Sequence, residues 1–522
     1  MKLKTIVSTY LFEILLFLFS VSVPFALSMG PAFYGIIATF LIFLVLRRIH
    51  YVLFVIGFVF VLITCVLFLP QIIWFGHPPA TMIGAFFETD FQESKEFVQS
   101  LPLYAYAISL VYLLFGGYIL YLGKKKSVVY TKKYIVITVL LAIVSCVLTV
   151  LRPIEKFREG EPFLWAYSRT AVIGFYGKIV KDIEDYHKLK EDLEKGIVGN
   201  PSWQITDVQP PFNDYILVIG ESVRRDYMSL YGFPLENSSF LKAVNGTVIE
   251  GYTAAAPNTS SSLLRMFVQQ QNEAFLYANN IISLAKLAGF ETIWLSNQGY
   301  AGGHDSPVTK IANLCDKKIF TKKSEYASMN YPDSVLLPTF EKQLQPNSNK
   351  RRLIVLHLLG SHTQFASRLE NPIHYDYVNK NLSAYVQTLE QTDIFLQKIY
   401  QITQKYSKSF TMIYFSDHGL MTQDRESRFF ATLTHGDTQP NKAVYRVPFV
   451  LVTSKDTLHR HIKVNKSAFH FLDGYAHWLG IKEKTLDQTY DFCSKNPDSL
   501  KVFNHFEDVS YESLADDAVV KP

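Results

Sequence analysis

Apolar residues dominate the first 153 positions of the chain. Five nearly uninterrupted apolar runs lie there, at 5–29, 31–46, 51–74, 103–122 and 134–151. Most of these runs approach the ~20 residues that a helix needs to cross the ~30 Å hydrocarbon core of a bilayer. The second run is short, and its flanking Arg47 and Arg48 extend it by reaching the interface. The pattern predicts a membrane domain of five transmembrane helices over 1–153, with an outward loop over 70–102.

Positively charged residues indicate which way these helices cross. Lys and Arg gather at alternate ends of successive runs, at positions 2, 4, 47, 48, 124–126, 132 and 133. Because positive loops tend to stay in the cytoplasm, the N-terminus is predicted to be cytoplasmic. An odd number of spans then places loop 70–102 and everything after Arg152 on the opposite side of the bilayer.

The pattern changes after residue 153. Residues 154–210 are polar and carry acids and lysines at three- and four-residue spacing, which predicts linking or interfacial helices. From 211 to 522, short apolar runs at 215–220, 292–297, 353–360, 410–416 and 448–454 alternate with helical patterns. Such alternation predicts an exported α/β domain whose largely parallel sheet is covered on both faces. The polar end of the chain, 490–522, is predicted to be a solvated appendage.

Composition and charge narrow the class of protein. Hydrophobic residues make up 49% of the chain and charged residues 19%, which excludes an intrinsically disordered protein. Residues 1–153 hold 11 Lys and Arg against 5 Asp and Glu, whereas the remainder holds 40 against 41. The basic excess is therefore a topology signal, and no nucleic-acid partner is expected. Of the four cysteines, Cys315 and Cys493 lie in the exported half, where a disulfide between them is one alternative and two free thiols the other.

Polar clusters follow three of the predicted strands. Glu221 follows the first strand, His362 the third, and the adjacent pair Asp417 and His418 the fourth. Active sites of parallel sheets gather beyond the carboxyl ends of strands. Two acids and an imidazole suit a divalent metal such as zinc. The alternatives are a capping Asp beside a solvated His, and an acid at a helix N-terminus for Glu221.

A cluster of hydroxyls at 259–262 precedes an apolar run. It predicts a helix N-terminus, with Ser or Thr in the capping position. A hydroxyl there is also suited to chemistry, because backbone N–H groups of the helix point at a bound phosphate. A neighbouring metal would lower the hydroxyl pKa and make it a nucleophile. Thr259 is therefore a candidate for both roles.

The ordered motifs "GESVRRDYMSLYGF", "NTSSSLLRMF", "GSH", "SDHG" and "LTHGD", behind five predicted spans, resemble the bacterial phosphoethanolamine transferases that modify lipopolysaccharide. That family belongs to the alkaline phosphatase and sulfatase superfamily, so the resemblance implies an alkaline phosphatase/sulfatase-like fold. It also implies one or two zinc ions, bound by Glu221, Thr259, Asp417 and His418, with Thr259 as the nucleophile.

Further site residues follow from the same resemblance. His362 and His435 match histidines that engage phosphate or a second metal, although each taken alone suits a structural role. Thr89, Asp90 and Glu93 match a periplasmic loop associated with the lipid substrate; a hydrated acidic loop is the alternative. Asn297 begins a segment similar to a Gly-rich active-site loop and is a candidate for contact with the donor headgroup, beside ordinary loop chemistry.

The resemblance implies a specific reaction. Phosphoethanolamine would pass from phosphatidylethanolamine to a lipopolysaccharide acceptor, either core heptose or Kdo or lipid A, through a covalent phosphoethanolamine-threonine intermediate. The chain would be a monomer in the bacterial inner membrane, with its catalytic domain in the periplasm. Several lipid A-directed members carry cysteines flanking the nucleophile, where this chain has Ala255 and Arg265. That departure favours the branch resembling enzymes that act on heptose, Kdo or glucan acceptors.

Three other functions compete with this one. A phosphoglycerol transferase of the lipoteichoic-acid-synthase type also has five spans and a Thr nucleophile. A sulfatase would need Pro where Leu263 stands in "SSLLR", so formylglycine chemistry is disfavoured. The third alternative is a membrane-anchored binding protein with a catalytically dead domain.

Overall fold

The computed structural model describes residues 2–75, 98, 101, 103–125, 131–158, 164–197, 199–272, 274–299, 307–322, 331–345, 350–423, 431–435 and 440–521. The chain forms two compact units. One contains the described residues up to 188, and the other contains those from 189 onward. The predicted division at 153 and 210 stays a prediction.

The first unit is helical. Its helices are α1 (Lys2–Ala26), α2 (Phe33–Ile49), α3 (Tyr51–Phe75), α4 (Leu103–Lys125), α5 (Lys132–Arg158) and the first part of α6 (Ala171–Ile197). Helices α1 to α5 coincide with the five predicted apolar runs. Among the described residues, three helices are long and apolar enough to cross a membrane, at Tyr51–Ile73, Leu103–Lys124 and Lys132–Arg158. The full number of spans and their orientation stay predictions.

Aromatic side chains fill the core of the helical unit. Phe19 lies against Phe58 with ring centroids 4.5 Å apart, and Phe43 packs on the same ring at 5.3 Å. Two hydroxyl pairs join helices: Thr64 and Tyr176 lie 2.9 Å apart, as do Ser22 and Tyr112. Because Tyr176 belongs to α6, the start of the predicted linker packs onto the helical unit.

The second unit mixes helices and strands. Its helices are α7 (Ser239–Ala243), α8 (Thr259–Phe267), α9 (Ile281–Leu287), α10 (Pro307–Ala312), α11 (Leu337–Leu344), α12 (Lys380–Tyr406) and α13 (Phe471–Leu479). Its strands are β1 (Ile205–Val208), β2 (Asp214–Gly220), β3 (Gly246–Thr253), β4 (Val268–Gln271), β5 (Ala274–Asn280), β6 (Glu291–Gly299), β7 (Lys317–Lys322), β8 (Arg352–His357), β9 (Phe410–Ser416), β10 (Met421–Gln423), β11 (Thr432–Thr434), β12 (Phe449–Thr453), β13 (His459–Ser467), β14 (Ile481–Glu483), β15 (Lys501–Phe503) and β16 (Asp508–Ser510).

Eight of these strands form one sheet in the order β13-β3-β12-β9-β2-β8-β6-β7. Within this sheet β12 is antiparallel to both of its neighbours, and every other pair is parallel. The prediction of an α/β domain with a largely parallel sheet is confirmed. All five predicted strands are present, whereas β3, β7 and β13 were missed because polar residues interrupt their apolar runs.

The central strand β2 shows that the sheet is covered on both faces. All seven of its residues are buried. Alternate side chains of a strand point to opposite faces. Tyr215, Leu217 and Ile219 accordingly pack in one hydrophobic core, and Ile216 and Val218 pack in another on the other face. A continuous apolar run is therefore the expected pattern for this position.

The end of the chain is not a solvated appendage, so that prediction is wrong. Asp517 and Val520 are buried. Asp517 Oδ2 lies 2.9 Å from Nη1 of Arg224, whose side chain is fully buried, and it also accepts a hydrogen bond from the Thr422 N–H at 2.7 Å. A buried guanidinium needs carboxylate partners. One is Asp226, whose Oδ2 lies 3.2 Å from Nη2 of Arg224. The other, Asp517, comes from 293 residues away, beyond the reach of a local pattern.

Replacement of Asp517 by alanine is expected to destabilise the α/β unit by about 1–3 kcal/mol, since the buried Arg224 loses one of its two carboxylate partners and keeps Asp226. The measurement is urea unfolding of the full chain in detergent, followed by tryptophan fluorescence. The matched control is Asp516→Ala, because Asp516 pairs with Arg446 at the surface, where a salt bridge is worth about 0–1 kcal/mol. Equal midpoints for the two variants would contradict the assignment.

Cys315 and Cys493 are both free thiols. Burial raises the pKa of each to about 12, so neither is a reactive thiolate at neutral pH. The alternative of a disulfide between them is not realised.

Candidate active site and metal centre

The parallel pairing of β2 and β9 brings two acidic residues together. Gly220 and Ser416, the last residues of the two strands, are paired in register. Glu221 and Asp417 therefore follow at the same edge of the sheet. The Asp417 N–H donates to the Gly220 carbonyl at 3.2 Å, and the Ser222 N–H donates to Asp417 Oδ1 at 3.2 Å. The two strand ends are thus fixed to each other by backbone groups.

Helix α8 brings the hydroxyl of Thr259 to the same place. Asn258 caps the helix by accepting a hydrogen bond from the Ser261 N–H at 2.9 Å. Thr259 is the first helical residue, and its Oγ1 donates to Glu221 Oε2 at 2.9 Å. Ser262, one turn further on, donates its hydroxyl to the Asp417 carbonyl at 2.6 Å. This second bond ties the helix N-terminus to the end of β9.

His418 completes the group. Its Nε2 lies 3.3 Å from Glu221 Oε1, 3.4 Å from Asp417 Oδ2 and 3.4 Å from Thr259 Oγ1. Its Nδ1 lies 2.8 Å from the Gly419 carbonyl, which can only accept a hydrogen bond, so Nδ1 carries a hydrogen. In the neutral ring, Nε2 then presents its lone pair to the carboxylates. This is the orientation of a metal-ligating histidine whose other nitrogen is held by the backbone.

The donor atoms fit a cation. Glu221, Asp417 and His418 are all fully buried, and Asp417 Oδ2 accepts no hydrogen bond from the described part of the chain. Ligand atoms of Glu221, His418 and His435 lie within 4.8 Å of one another. Buried carboxylates need a positive partner, and two carboxylates with imidazole and a hydroxyl form a set that zinc accepts.

The pKa values of the site residues also indicate that its carboxylates need a positive partner. Burial raises the pKa of Glu221, but the hydrogen bond and the charge of His418, with the charge of His362, outweigh burial and hold that pKa well below its usual range. Burial and the charge of Glu221 raise the pKa of Asp417 to about 7. Burial lowers the pKa of His418, yet Asp417 and Glu221 bring it to about 9. Two carboxylates thus compete for one positive partner.

Two further histidines lie beside this group. The His435 ring lies 5.0 Å from that of His418, and the His362 ring lies 6.0 Å from that of His435, between centroids. His362 follows β8, and His435 follows β11. The structure therefore brings together six of the predicted site residues, namely Glu221, Thr259, His362, Asp417, His418 and His435.

Asn297 occupies a different kind of position. Its side chain is fully buried, and its amide donates to Asp333 Oδ1 at 2.8 Å. Asp333 in turn accepts hydrogen bonds from the N–H groups of Leu359 and Gly360, at 2.8 and 2.9 Å. The described contacts of Asn297 thus support the loop that leads to His362. Its predicted contact with the donor headgroup stays a prediction.

Gly360 shows how closely this loop approaches the site. Its φ is +49°, and a Cβ there would lie 3.0 Å from both the backbone N and O of Glu221. Only glycine satisfies both the left-handed conformation and the close approach. Asp333, which holds the loop in place, was not predicted. It does not directly follow a predicted strand, and nothing in its local sequence distinguishes it from other acidic residues of the chain.

Gln298 is a second site residue that the sequence did not predict. Gln298 Nε2 donates to the Leu358 carbonyl at 2.8 Å and lies 3.4 Å from Glu221 Oε2. The predicted residue was its neighbour Asn297. Successive side chains of a strand point to opposite faces. If Asn297 points away from the site, the next residue, Gln298, points towards it, and this alternation is the signal that could have identified Gln298. Thr89, Asp90 and Glu93 lie outside the described residues.

Comparison with known proteins gives three results. A putative phosphoethanolamine transferase of Haemophilus influenzae is 32% identical over 374 residues, covering 69% of this chain and 72% of that protein. The Sulfatase family matches residues 213–481, more than half of the chain. Phosphoethanolamine transferase OpgE of Escherichia coli K12 is 29% identical over 511 residues, covering 97% of this chain and 95% of that protein.

Two solved structures share the fold. The C-terminal periplasmic domain of EptC from Escherichia coli, in complex with zinc, gives a TM-score of 0.53 at 21% identity, over 61% of this chain and 97% of that one. The integral membrane protein lipooligosaccharide phosphoethanolamine transferase A (EptA) from Neisseria meningitidis gives 0.55 at 16% identity, over 92% and 97%. The predicted sulfatase-like fold is confirmed.

Proposed function

Since this chain belongs to the phosphoethanolamine transferase family of the alkaline phosphatase and sulfatase superfamily, and is a transferase, we propose that it moves phosphoethanolamine from phosphatidylethanolamine to a lipopolysaccharide acceptor. What we propose, beyond the transferase activity itself, is the identity of the donor, the identity of the acceptor and a covalent intermediate. The observation that carries the proposal is the position of Thr259, whose hydroxyl points at Glu221 and His418 from the N-terminus of α8.

In the first step, Thr259 Oγ1 forms a bond to the phosphorus of phosphatidylethanolamine. The bond from phosphorus to the glycerol oxygen breaks, and its electron pair leaves with diacylglycerol, which takes up the proton that the Thr259 hydroxyl loses. Glu221 Oε2 already accepts the hydrogen bond of the Thr259 hydroxyl and so holds its proton away from the attacking lone pair. The product is phosphoethanolamine esterified to Thr259.

In the second step, a hydroxyl or phosphate oxygen of the acceptor attacks the same phosphorus. Thr259 Oγ1 leaves and regains its proton, so the enzyme returns to its starting state. His362 and His435 lie beside the nucleophile and are suited to donate hydrogen bonds to the phosphoryl oxygens, where charge is spread in the transition state. Backbone N–H groups at the start of α8 add to this.

Zinc is the proposed cofactor, bound by Glu221, Thr259, Asp417 and His418, in one or two copies. When bound, it would act as a Lewis acid and lower the pKa of the Thr259 hydroxyl. The fully buried carboxylates support a cation here, as does Asp417 Oδ2, which accepts no hydrogen bond from the described residues. The zinc held by the EptC domain, a protein of the same fold, supports its identity.

Location and substrate class follow from the anchor. We place the protein in the bacterial inner membrane, with a cytoplasmic N-terminus and a periplasmic catalytic domain. Three helices of membrane-crossing length support the anchor, and EptA is by name an integral membrane protein acting on lipooligosaccharide. An anchored domain takes its donor directly from the bilayer, and Thr89 and Glu93 remain proposed contacts for that lipid. The monomeric state also remains a proposal.

Mass spectrometry of lipid A, core oligosaccharide and periplasmic glucan from cells with and without this chain tests the proposal. We expect the mass of one phosphoethanolamine group on a lipopolysaccharide fragment only in cells that express the chain. Cells expressing Thr259→Ala are the matched control. Modification of glucan alone would replace the acceptor and keep the reaction, whereas modification of no fragment, or a phosphoglycerol increment, would contradict the proposed transfer.

A further inference from the structure

A second cluster of potential ligands lies on the outermost strand of the sheet. Strand β13 begins with His459, Arg460 and His461, and residues two apart on a strand share a face. His459 pairs with Gly246, the first residue of β3, and His461 pairs with Val248. The candidate active site, by contrast, follows the last residues of β2 and β9. The two histidines therefore form a separate group.

The two imidazoles meet through their Nε2 atoms, which lie 3.1 Å apart. Each Nδ1 faces a group that only accepts hydrogen bonds. His459 Nδ1 lies 2.7 Å from the Val244 carbonyl, and His461 Nδ1 lies 3.2 Å from Glu250 Oε1. Both Nδ1 atoms therefore carry hydrogens, and in the neutral rings both Nε2 atoms present lone pairs to each other.

Two facing lone pairs repel unless a cation lies between them. Two nitrogen ligands at ~2.0–2.1 Å from one metal, with an angle of ~90–110° between them, are ~2.9–3.4 Å apart. The observed 3.1 Å falls within this range. The outer partners also match, because metal-ligating histidines almost always donate their other N–H to a backbone carbonyl or a carboxylate.

The surroundings allow an ion to enter. The side chains of His461 and Glu250 are 34% and 32% exposed. His461 and Glu250 also line an open cavity of about 230 Å³, together with Arg225, Asp226, Leu230 and Tyr231. Water from this space can occupy the remaining coordination positions, so two protein ligands suffice for a weak to moderate site.

We propose that His459 and His461 bind one first-row divalent transition-metal ion, such as Zn²⁺ or Cu²⁺, through their Nε2 atoms. Imidazole nitrogens select these ions, whereas Mg²⁺ and Ca²⁺ require oxygen ligands. The Val244 carbonyl and the Glu250 carboxylate orient the two rings. This site is independent of the proposed transfer reaction and of the zinc proposed at Glu221.

Equilibrium dialysis of the full chain in detergent against Zn²⁺ tests this site. We expect His459→Ala/His461→Ala to bind one ion fewer per chain than the wild type. Arg460→Ala, on the opposite face of the same strand, and His470→Ala, a surface histidine paired with Asp473, are expected to keep the wild-type number. Glu250→Gln retains both ligands and is expected to weaken the second ion about 10-fold.

Electron paramagnetic resonance with Cu²⁺ supplies a second readout. We expect a signal coupled to two imidazole nitrogens that persists in Glu221→Gln and disappears in His461→Asn, a single change at a partly exposed position. Equal ion numbers in the wild type and the double variant would overturn the proposal. So would a pair of ¹⁵N histidine resonances that shift with pH but not with Zn²⁺, which would show a shared proton only.

Discussion

Replacement of Thr259 by alanine is expected to abolish formation of a phosphoethanolamine adduct on the chain. Removal of a covalent nucleophile typically costs several orders of magnitude in rate, and we expect a loss of at least about 10³-fold. No other hydroxyl that the structure describes hydrogen-bonds to Glu221 from the start of α8. The measurement is intact mass of the purified chain after incubation with phosphatidylethanolamine and without acceptor, where the intermediate accumulates.

The control for this experiment is Ser261→Ala. Ser261 lies in the same first turn of α8, and its contribution to the N-cap comes from its backbone N–H, which alanine retains. It is expected to form the adduct at the wild-type rate. An adduct of normal abundance on Thr259→Ala would move the nucleophile to another residue, and its absence from the active wild type would favour direct transfer between donor and acceptor.

Replacement of Glu221 by glutamine is expected to remove zinc from the active site and to lower transfer by more than about 100-fold. Loss of a residue that only orients a metal ligand lowers metal affinity or activity about 10–100-fold. A larger loss is expected for Glu221, because it contacts both Thr259 and His418 directly. Glutamine keeps the shape of the side chain and removes its charge. The buried Asp417 then faces His418 without a second carboxylate.

Zinc content by elemental mass spectrometry and transfer rate are the two measurements. Both are made in the His459→Ala/His461→Ala background, so that only the active-site metal is counted. The matched control is Glu236→Gln, because Glu236 is a half-exposed acid paired with Lys242 at the surface. Full zinc content in Glu221→Gln would remove Glu221 from the ligand set, and full activity without zinc would remove the metal from the mechanism.

Much of the architecture could be predicted because its signals are local. The strand at 410–416 was predicted at the bounds that the structure has, since a strand buried on both faces is apolar at most of its positions. Strand β13 was missed because exposed polar residues occupy much of its length at the edge of the sheet. Strand β3 was missed because Thr247 and Glu250 interrupt its apolar run, although most of its residues are buried. Edge positions require less apolar surface, so their pattern is weak.

The candidate site divides in the same way. Glu221, Asp417 and His418 were predictable because polar residues directly after apolar strands mark the active edge of a parallel sheet. Gln298 and Asp333 were not predictable in this way. Gln298 lies next to Asn297, which was predicted in its place. Asp333 contacts the site only through the backbone N–H groups of the loop at Gly360. The same limit applies to Asp517, whose partner Arg224 lies 293 residues away.

The sequence by itself determined the division into an apolar helical part and an α/β part, the central strands and the residue types at their ends, because hydrophobic periodicity and motif chemistry are written in consecutive positions. Only the tertiary structure decided that Thr259 meets Glu221 and His418, that the C-terminal segment neutralises Arg224, and that His459 faces His461. The first two are contacts between separate elements, and they depend on how strands pair and helices pack, which no local pattern specifies. The third joins two residues of one strand, and the groups that orient its rings, the Val244 carbonyl and the Glu250 carboxylate, come from elsewhere in the chain.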